Sequence, residues 1–317
     1  MVDVVVGGAG FIGATLVHNL LARGHDVIVV DNLVRGRKEF VPSQVRFELM
    51  DVSDPEPTKI LFSQLGRDHD ISTVWHLAAN SDIPAGVADP NVDLKDTFLT
   101  THSILLAMRD SGLKRLAFAS SSAIYGEHSQ PFHEDFGPLR PISNYGAMKL
   151  AAEAAISAAL GQTLSQAFIF RFPNVVGTPA THGVILDFIK RLRAEPAKLT
   201  VLGNGKQCKG YMHVSELVDA MLFITEHSTD AWSCFNIGPN DQGATVEFIA
   251  EEVVRLTSPS AKIEYGTADR GWPGDVPRFQ YNTVRLARLG WQPRLTSEQA
   301  VTRAVEQVLE QERNHSC

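Results

Sequence analysis

The chain has 317 residues, 44% apolar and 21% charged, with 36 acidic against 29 basic side chains and a formal net charge of −7. A sizeable core is available, and wholesale disorder is excluded. No Lys/Arg-rich run occurs, which excludes a dedicated nucleic-acid or anionic-membrane binder. An anionic small molecule would need a local basic site.

Residues 2–6 (VDVVV) form a short β-branched run suited to a strand buried on both faces. Gly7, Gly8, Gly10 and Gly13 break the apolar stretch that follows, and no basic leader precedes it, so neither a signal peptide nor a membrane span is expected. A cytoplasmic protein is the default expectation. A helix is predicted over 11–23, with Ile12, Leu16, Leu20 and Leu21 on one face. Strands follow at 26–30, 45–50, 73–77, 115–119 and 167–172, and helices at 59–65, 92–111 and 144–159. This alternation predicts an α/β fold with a doubly wound parallel (Rossmann) sheet.

Beyond about residue 175 the elements shorten. Helices are predicted over 185–193, 215–226, 246–256 and 297–311, with strands at 198–202 and 234–237. We expect a dinucleotide-binding domain over 1–175. A smaller α/β substrate-binding lobe is expected over 176–317, with some chain crossing back to the sheet. The cysteines are Cys208, Cys234 and Cys317, without CxxC spacing. A disulfide framework or a zinc knuckle is not expected, and no metal site is assigned.

Gly7, Gly10 and Gly13 form GxxGxxG between the first strand and the first helix. Glycine permits the tight turn and a close approach of a pyrophosphate, and the helix N-terminus offers free N–H groups. Phe11 and Ile12 sit inside the motif. Asp31 ends the second strand, where a carboxylate accepts ribose hydroxyls and repels a 2′-phosphate, favouring NAD. Asn32 and Gly36 complete that loop. Asp51, with Val52, follows the third strand and reads either as an adenine contact or as an Asx turn. Leu77, Ala78 and Ala79 end the fourth strand, small enough to pass beneath a ribose.

Tyr145 and Lys149 form YxxxK at a predicted helix start and share one helical face. At about 4 Å and an effective dielectric near 20, one charge is worth about 4 kcal/mol, enough to draw the phenol toward neutrality even after desolvation takes its share, and a positively charged nicotinamide ring would add to this. Ser120, Ser121 and Ser122 follow the fifth strand, at the edge where such sheets keep their sites.

VGGAGFIG, VVDNL, HLAAN, ASSSAIYG, NYGAMK and RFPNVVG occur in the order seen in the extended short-chain dehydrogenases/reductases. The chain resembles the nucleotide-sugar epimerases and dehydratases of that family, most of all the archaeal-type UDP-glucose 4-epimerases. GNGKQCKGYMHV and GWPGDV extend the resemblance over almost the whole length. It implies a bound NAD and epimerisation of a nucleotide-diphosphate sugar at C4 through a 4-keto sugar. The UDP-glucose/UDP-galactose pair is the expected substrate, with a 2-epimerase or a 4-ketoreductase as alternatives. It also implies Tyr145 as the acid–base group, Ser121 polarising O4, and Lys149 on the nicotinamide ribose. Substrate contacts are implied for Asn174, Thr200, Leu202, Lys209, Arg270 and Asp275, and Asn80, Ser81 and His182 are placed near the sugar. Dehydratases and decarboxylases of the family carry acids after the catalytic Ser/Thr. Here Ser122 and Ala123 stand there, which argues against both. Thr97 replaces the family asparagine. The family also implies a homodimer through the helices near 92–111 and 144–159.

Overall fold

The computed structural model describes residues 1–128, 131–269 and 280–314. Its first half runs β1 (Val2–Val6), α1 (Phe11–Ala22), β2 (Asp26–Asp31), β3 (Arg46–Leu49), α2 (Pro55–Asp68), β4 (Ile71–His76), α3 (Ile83–Ala88), α4 (Pro90–Asp93), α5 (Thr100–Ser111), β5 (Arg115–Ala119), α6 (Asn144–Ala159) and β6 (Gln166–Arg171). Then come β7 (Asn174–Val176), α7 (Val184–Ala194), β8 (Lys198–Val201), β9 (Cys208–Lys209), β10 (Tyr211–His213), α8 (Val214–His227), β11 (Trp232–Asn236), β12 (Ala244–Thr245), α9 (Val246–Thr257), β13 (Lys262–Tyr265), α10 (Val284–Leu289) and α11 (Ser297–Asn314). These divide into two compact units. Unit 1 comprises Met1–Gly126, Glu134–Arg171 and Met221–Phe235, and unit 2 the rest.

Unit 1 holds a seven-stranded sheet in the order β11-β6-β5-β4-β1-β2-β3. The pairings from β3 through β6 are parallel. The order reverses between β1 and β4, so this is the doubly wound arrangement whose ligands lie beyond the strand carboxyl ends. Val6 is in register with both Val30 and His76, and His76 with Phe118. The segments after β1, β2, β4 and β5 therefore leave the sheet at one level. Val4, Val5 and Val6 are buried, as a strand covered on both faces requires. Val4 and Val6 pack with Ile28, Val30, Leu61, Phe62, Ile104 and Met108, which unites the sheet with α2 and α5.

The strand predicted at 234–237 is a place where the chain crosses back to the sheet: as β11 it extends the central sheet beside β6. Cys234 packs in the same core as Ala167 and Ile169, and the Ala167 N–H donates to Ala231 O at 2.8 Å. The single helix predicted over 92–111 is α4, a π-helical stretch Leu94–Leu99, and α5. Hydroxyls explain the widened turn. Thr100 and Thr101 donate to Thr97 O at 3.0 and 3.1 Å and compete with the backbone ladder for that carbonyl.

Unit 2 contains three short ladders: β7 parallel to β10, β8 parallel to β13, and β9 antiparallel to β12. Its core joins α7, α9 and α11 through Ile185, Ile189, Ile249, Val253, Val301 and Val305.

Candidate active site

The turn after β1 is built almost entirely of backbone. Gly7 adopts φ +85°, open to glycine and strained for other residues, and its N–H donates to Val30 O at 2.8 Å. A Cβ on Gly7 would stand 2.6 Å from Ala78 N, and one on Gly13 would stand 2.0 Å from Gly7 O. The protein's own packing thus requires both glycines. Gly10 is different: a Cβ there would meet only Gly7 O, at 3.4 Å. Gly10 caps α1 and supplies no side-chain acceptor to the first turn. The Phe11–Gly13 backbone is therefore the open, partially positive helix end that an anion uses.

Asp31 closes the neighbouring loop. Its two oxygens accept from Ala9 N at 3.0 Å and Leu33 N at 2.8 Å. Burial nonetheless holds its carboxyl above the usual range. Gly36 lets the chain pass this carboxylate, since a Cβ there would lie 2.9 Å from Asp31 Oδ1. Asn32 is exposed and accepts from Val34 N at 3.1 Å. Leu77 and Ala78 donate their N–H groups to Val6 O, which carries the chain past the glycine turn, and Ala79 follows half-buried.

Asp51 shows the turn chemistry. Oδ1 accepts from Ser53 N at 3.0 Å and Oδ2 from Lys95 Nζ at 2.8 Å. Burial raises its pKa, but Lys95 and Ser53 outweigh that and hold it below the ordinary value. Val52 is buried in the core.

At the end of β5, Ser121 Oγ accepts from Ala123 N at 3.2 Å, and the Ser121 side chain favours the ionised form of Tyr145. Tyr145 reaches it because α6 begins hard against this turn. Ser143 caps the helix through Gly146 N at 3.1 Å, and a Cβ on Gly146 would strike Ala123 O at 2.4 Å. One turn later Lys149 is 2% exposed; its Nζ donates to Ala119 O at 2.6 Å and lies 5.8 Å from the Tyr145 ring centre. The structure therefore assembles Ser121, Tyr145 and Lys149.

Their electrostatics correct one expectation. Tyr145 is not drawn toward neutrality: burial pushes it up to about 12, the Asp93 charge adds to that, and the Ser121 hydrogen bond only partly opposes it. Burial also takes Lys149 down to about 7, against the carboxylates of Glu153 and Asp93. The lysine charge is itself weakened and directed at a backbone carbonyl.

Several residues escaped the motifs. Glu153, four residues beyond Lys149, accepts from Arg171 Nε at 3.0 Å and Nη2 at 2.6 Å, and also from Ser120. Arg171 also donates to Tyr125 Oη at 3.0 Å. The arginine of RFPNVVG and the helical spacing from Lys149 were the available signals. Asn80 was expected near the sugar, but it is 3% exposed and turned inward. It donates to Asp82 O and Asp93 Oδ1 at 2.8 Å each, and accepts from Asp82 N at 2.9 Å. Thr97 is buried, and its hydroxyl accepts from Asn80 N at 3.2 Å.

The substrate candidates of unit 2 lie on separate ladders. Asn174 is exposed on β7, and Thr200 is exposed on β8 with its carbonyl accepting from Arg191 at 2.9 Å. Leu202 is exposed just past β8, whereas Lys209 is buried on β9. Gln207, also buried, has neither end of its amide hydrogen-bonded. Arg270 and Asp275 lie outside the described residues.

A family model described as the NAD dependent epimerase/dehydratase family matches residues 4–238. The chain belongs to this family. A UDP-glucose 4-epimerase of Lactobacillus helveticus is 30% identical over 310 residues, covering 92% of this chain and 91% of that protein. A solved UDP-galactose 4-epimerase superposes with a TM-score of 0.86 at 33% identity, over 98% of this chain and 99% of the other. A UDP-glucose 4-epimerase of Thermotoga maritima, solved with UDP-glucose, gives a TM-score of 0.86 at 30% identity, over 98% and 100%. NAD is the family's cofactor, and the residues here fit it. Gly10 leaves the first turn of α1 open where a pyrophosphate sits, and Asp31 presents a carboxylate where a 2′-phosphate would be repelled.

Proposed function

We propose that this protein interconverts UDP-glucose and UDP-galactose by NAD-dependent epimerisation at C4. The observation that carries the reading is the placing of Tyr145 one turn before Lys149, whose Nζ lies 5.8 Å from its ring centre, beside Ser121 at the carboxyl edge of the sheet. NAD, when bound, supplies the hydride acceptor and donor at C4. The Tyr145 phenolate, favoured by Lys149 and by the positive charge that bound NAD would bring, would take the proton of the sugar 4-hydroxyl and return it to the sugar oxygen. Ser121 Oγ would hold the same sugar oxygen, and Lys149 would hold the nicotinamide ribose and offset the phenolate charge. Catalysis is positioning and acid–base work. Ser122 and Ala123 present no acid to a leaving 6-hydroxyl, which supports an epimerase over a dehydratase.

Gly7, Gly10, Phe11, Ile12, Gly13, Asp31, Asn32, Gly36, Asp51, Val52, Leu77, Ala78 and Ala79 form the cofactor side of this reading. Asn174, Thr200, Leu202, Lys209, Arg270 and Asp275 form the nucleotide-sugar side, with Lys209 supplying positive charge for the diphosphate. Among the described residues no helix is long and apolar enough to cross a membrane. A cytoplasmic homodimer through the helical segments near 92–111 and 144–159 completes the reading. The alanine-dense α6 offers little bulk, which suits close helix approach, and light scattering on the purified protein tests the dimer.

The test incubates purified protein with UDP-galactose and no added cofactor. UDP-glucose should accumulate, and its absence defeats the substrate assignment. Tyr145→Phe should reduce turnover by about 10²- to 10⁴-fold while NAD stays bound. Unchanged turnover overturns the mechanism.

A further inference from the structure

The carboxylates of Glu153 and Asp93 favour the charge on Lys149, whose charge in turn opposes protonation of His76, and these three groups of unit 1 are not equivalent. Glu153 is bound through both oxygens by Arg171, at 3.0 and 2.6 Å, so its charge is matched within that pair. His76 is neutral, because burial and the Lys149 charge both oppose its protonation. The Thr101 hydroxyl donates to Thr97 O at 3.1 Å, so its oxygen accepts from His76 Nε2–H at 2.9 Å. That leaves His76 Nδ1 as a buried acceptor without a donor.

Asp93 differs from both. It is 1% exposed, Oδ1 accepts only from the neutral Asn80 amide at 2.8 Å, and Oδ2 has no partner. Its seat is shaped for it. A Cβ on Gly86 would stand 1.7 Å from Asp93 Oδ2, so α3 covers the carboxylate only because residue 86 is glycine. Asn144, the residue before Tyr145, donates to Gly86 O at 2.9 Å and ties this cover to the start of α6.

We infer that Asp93 is a positioning residue of the Tyr145–Lys149 pair, its buried carboxylate being the uncompensated counter-charge that retains the Lys149 ammonium beside the tyrosine. The inference rests on reading Tyr145 and Lys149 as the acid–base pair. A buried ammonium with one carbonyl acceptor needs an opposite charge, and attraction strengthens where water is excluded. From α6 itself, Glu153 and Tyr145 face Lys149. From β6 comes Arg171, already paired with Glu153, and from β4 comes neutral His76. Asp82 and Asp96 act on Asp93 in turn and raise its proton affinity, which burial has already raised. The counter-charge therefore disappears as pH falls through the Asp93 titration.

The experiment follows the Lys149 Cε resonance in protein labelled with ¹³C at lysine, assigned by its loss in Lys149→Met. Asp93→Asn keeps an oxygen for Asn80 and removes the charge. Its Lys149 midpoint should fall by about one pH unit, tenfold in proton concentration. The wild-type resonance should also carry an acidic inflection that the variant lacks. An unchanged midpoint, or a wild-type curve without that inflection, overturns the proposal. If Asp93→Asn does not fold, the wild-type inflection decides alone. With UDP-galactose, the alkaline limb of kcat should move down by a similar amount with KM unchanged. The resonance needs no substrate, so a protein inactive on UDP-galactose refutes the epimerase reading and leaves this test standing.

Discussion

The glycine turn after β1 and the polar cluster around Lys149 occupy the same edge of one sheet and are made of opposite materials. The turn is backbone: Gly7 and Gly13 are dictated by contacts of 2.6 and 2.0 Å that a Cβ would make. The cluster is buried side-chain charge: Lys149, Glu153, Asp93 and Arg171 are all at most 6% exposed. A site of the first kind fails when atoms are added and is nearly indifferent to pH. A site of the second kind fails when atoms are removed and answers to protons. The predictions below are ordered by expected size, and each can break that contrast.

The largest effect is expected in the cluster. Arg171→Met removes the guanidinium and leaves Glu153 with a hydroxyl donor and no paired cation. Breaking a buried ion pair in this way costs about 3–5 kcal/mol. Urea unfolding should show a loss of that order, and Glu153→Gln with Arg171→Met should recover part of it. If the single variant loses under 1 kcal/mol, the cluster is not held by charge compensation.

The turn should respond to bulk in a position-specific way. Gly13→Ala forces a shift of Gly7 O or of α1, an overpacking cost of about 1–3 kcal/mol. Gly10→Ala meets only one contact at 3.4 Å, so its stability should stay within about 0.5 kcal/mol while NAD retention falls. Equal destabilisation of the two would deny that Gly10 is glycine for a ligand's sake.

The pH dependence of stability separates the regions further. Lys149 has a folded pKa of about 7, below its ordinary value of 10.5. Between those values the unfolded chain binds more protons, so stability should rise with pH from about 7 upward. The slope from this one group is at most about 1.4 kcal/mol per pH unit. Lys149→Met should flatten it. A slope that survives the substitution assigns it elsewhere.

The same contrast explains what the sequence discloses. The turn is readable because its requirement is local: three glycines at fixed spacing after a β-branched run. YxxxK is readable for the same reason, as four residues make one helical turn. The cluster is assembled by topology. Arg171 ends β6, His76 ends β4 and Asp93 precedes a π-helical turn, so no short spacing links them. The motif view set Lys149 beside Tyr145 and took desolvation as the smaller influence, whereas burial is the largest influence on both, and it had no sign that the Asn80 amide serves Asp93. The widened turn at 94–99 was hidden because two threonine hydroxyls, not a glycine or proline, redirect the backbone. That some chain crosses back to the sheet was expected, but which strand does so was not legible, because β11 lies 60 residues beyond β6 in the chain and nothing local marks the return.

The smallest effect tests a residue that belongs to neither kind. Asp51 caps its own turn through Ser53 N and pairs with Lys95, whose side chain is 57% exposed. Exposed ion pairs are typically worth about 0–1 kcal/mol, so Lys95→Met should change stability by less than that and leave NAD retention unchanged. Asp51→Asn preserves the oxygen that accepts from Ser53 but reverses the polarity of the other position, where a carboxylate would accept from the adenine amino group. If Asp51 touches the cofactor, this variant alone should weaken NAD retention, by about tenfold for a lost charge-assisted hydrogen bond. If both variants retain NAD equally, Asp51 is a turn residue with a surface partner.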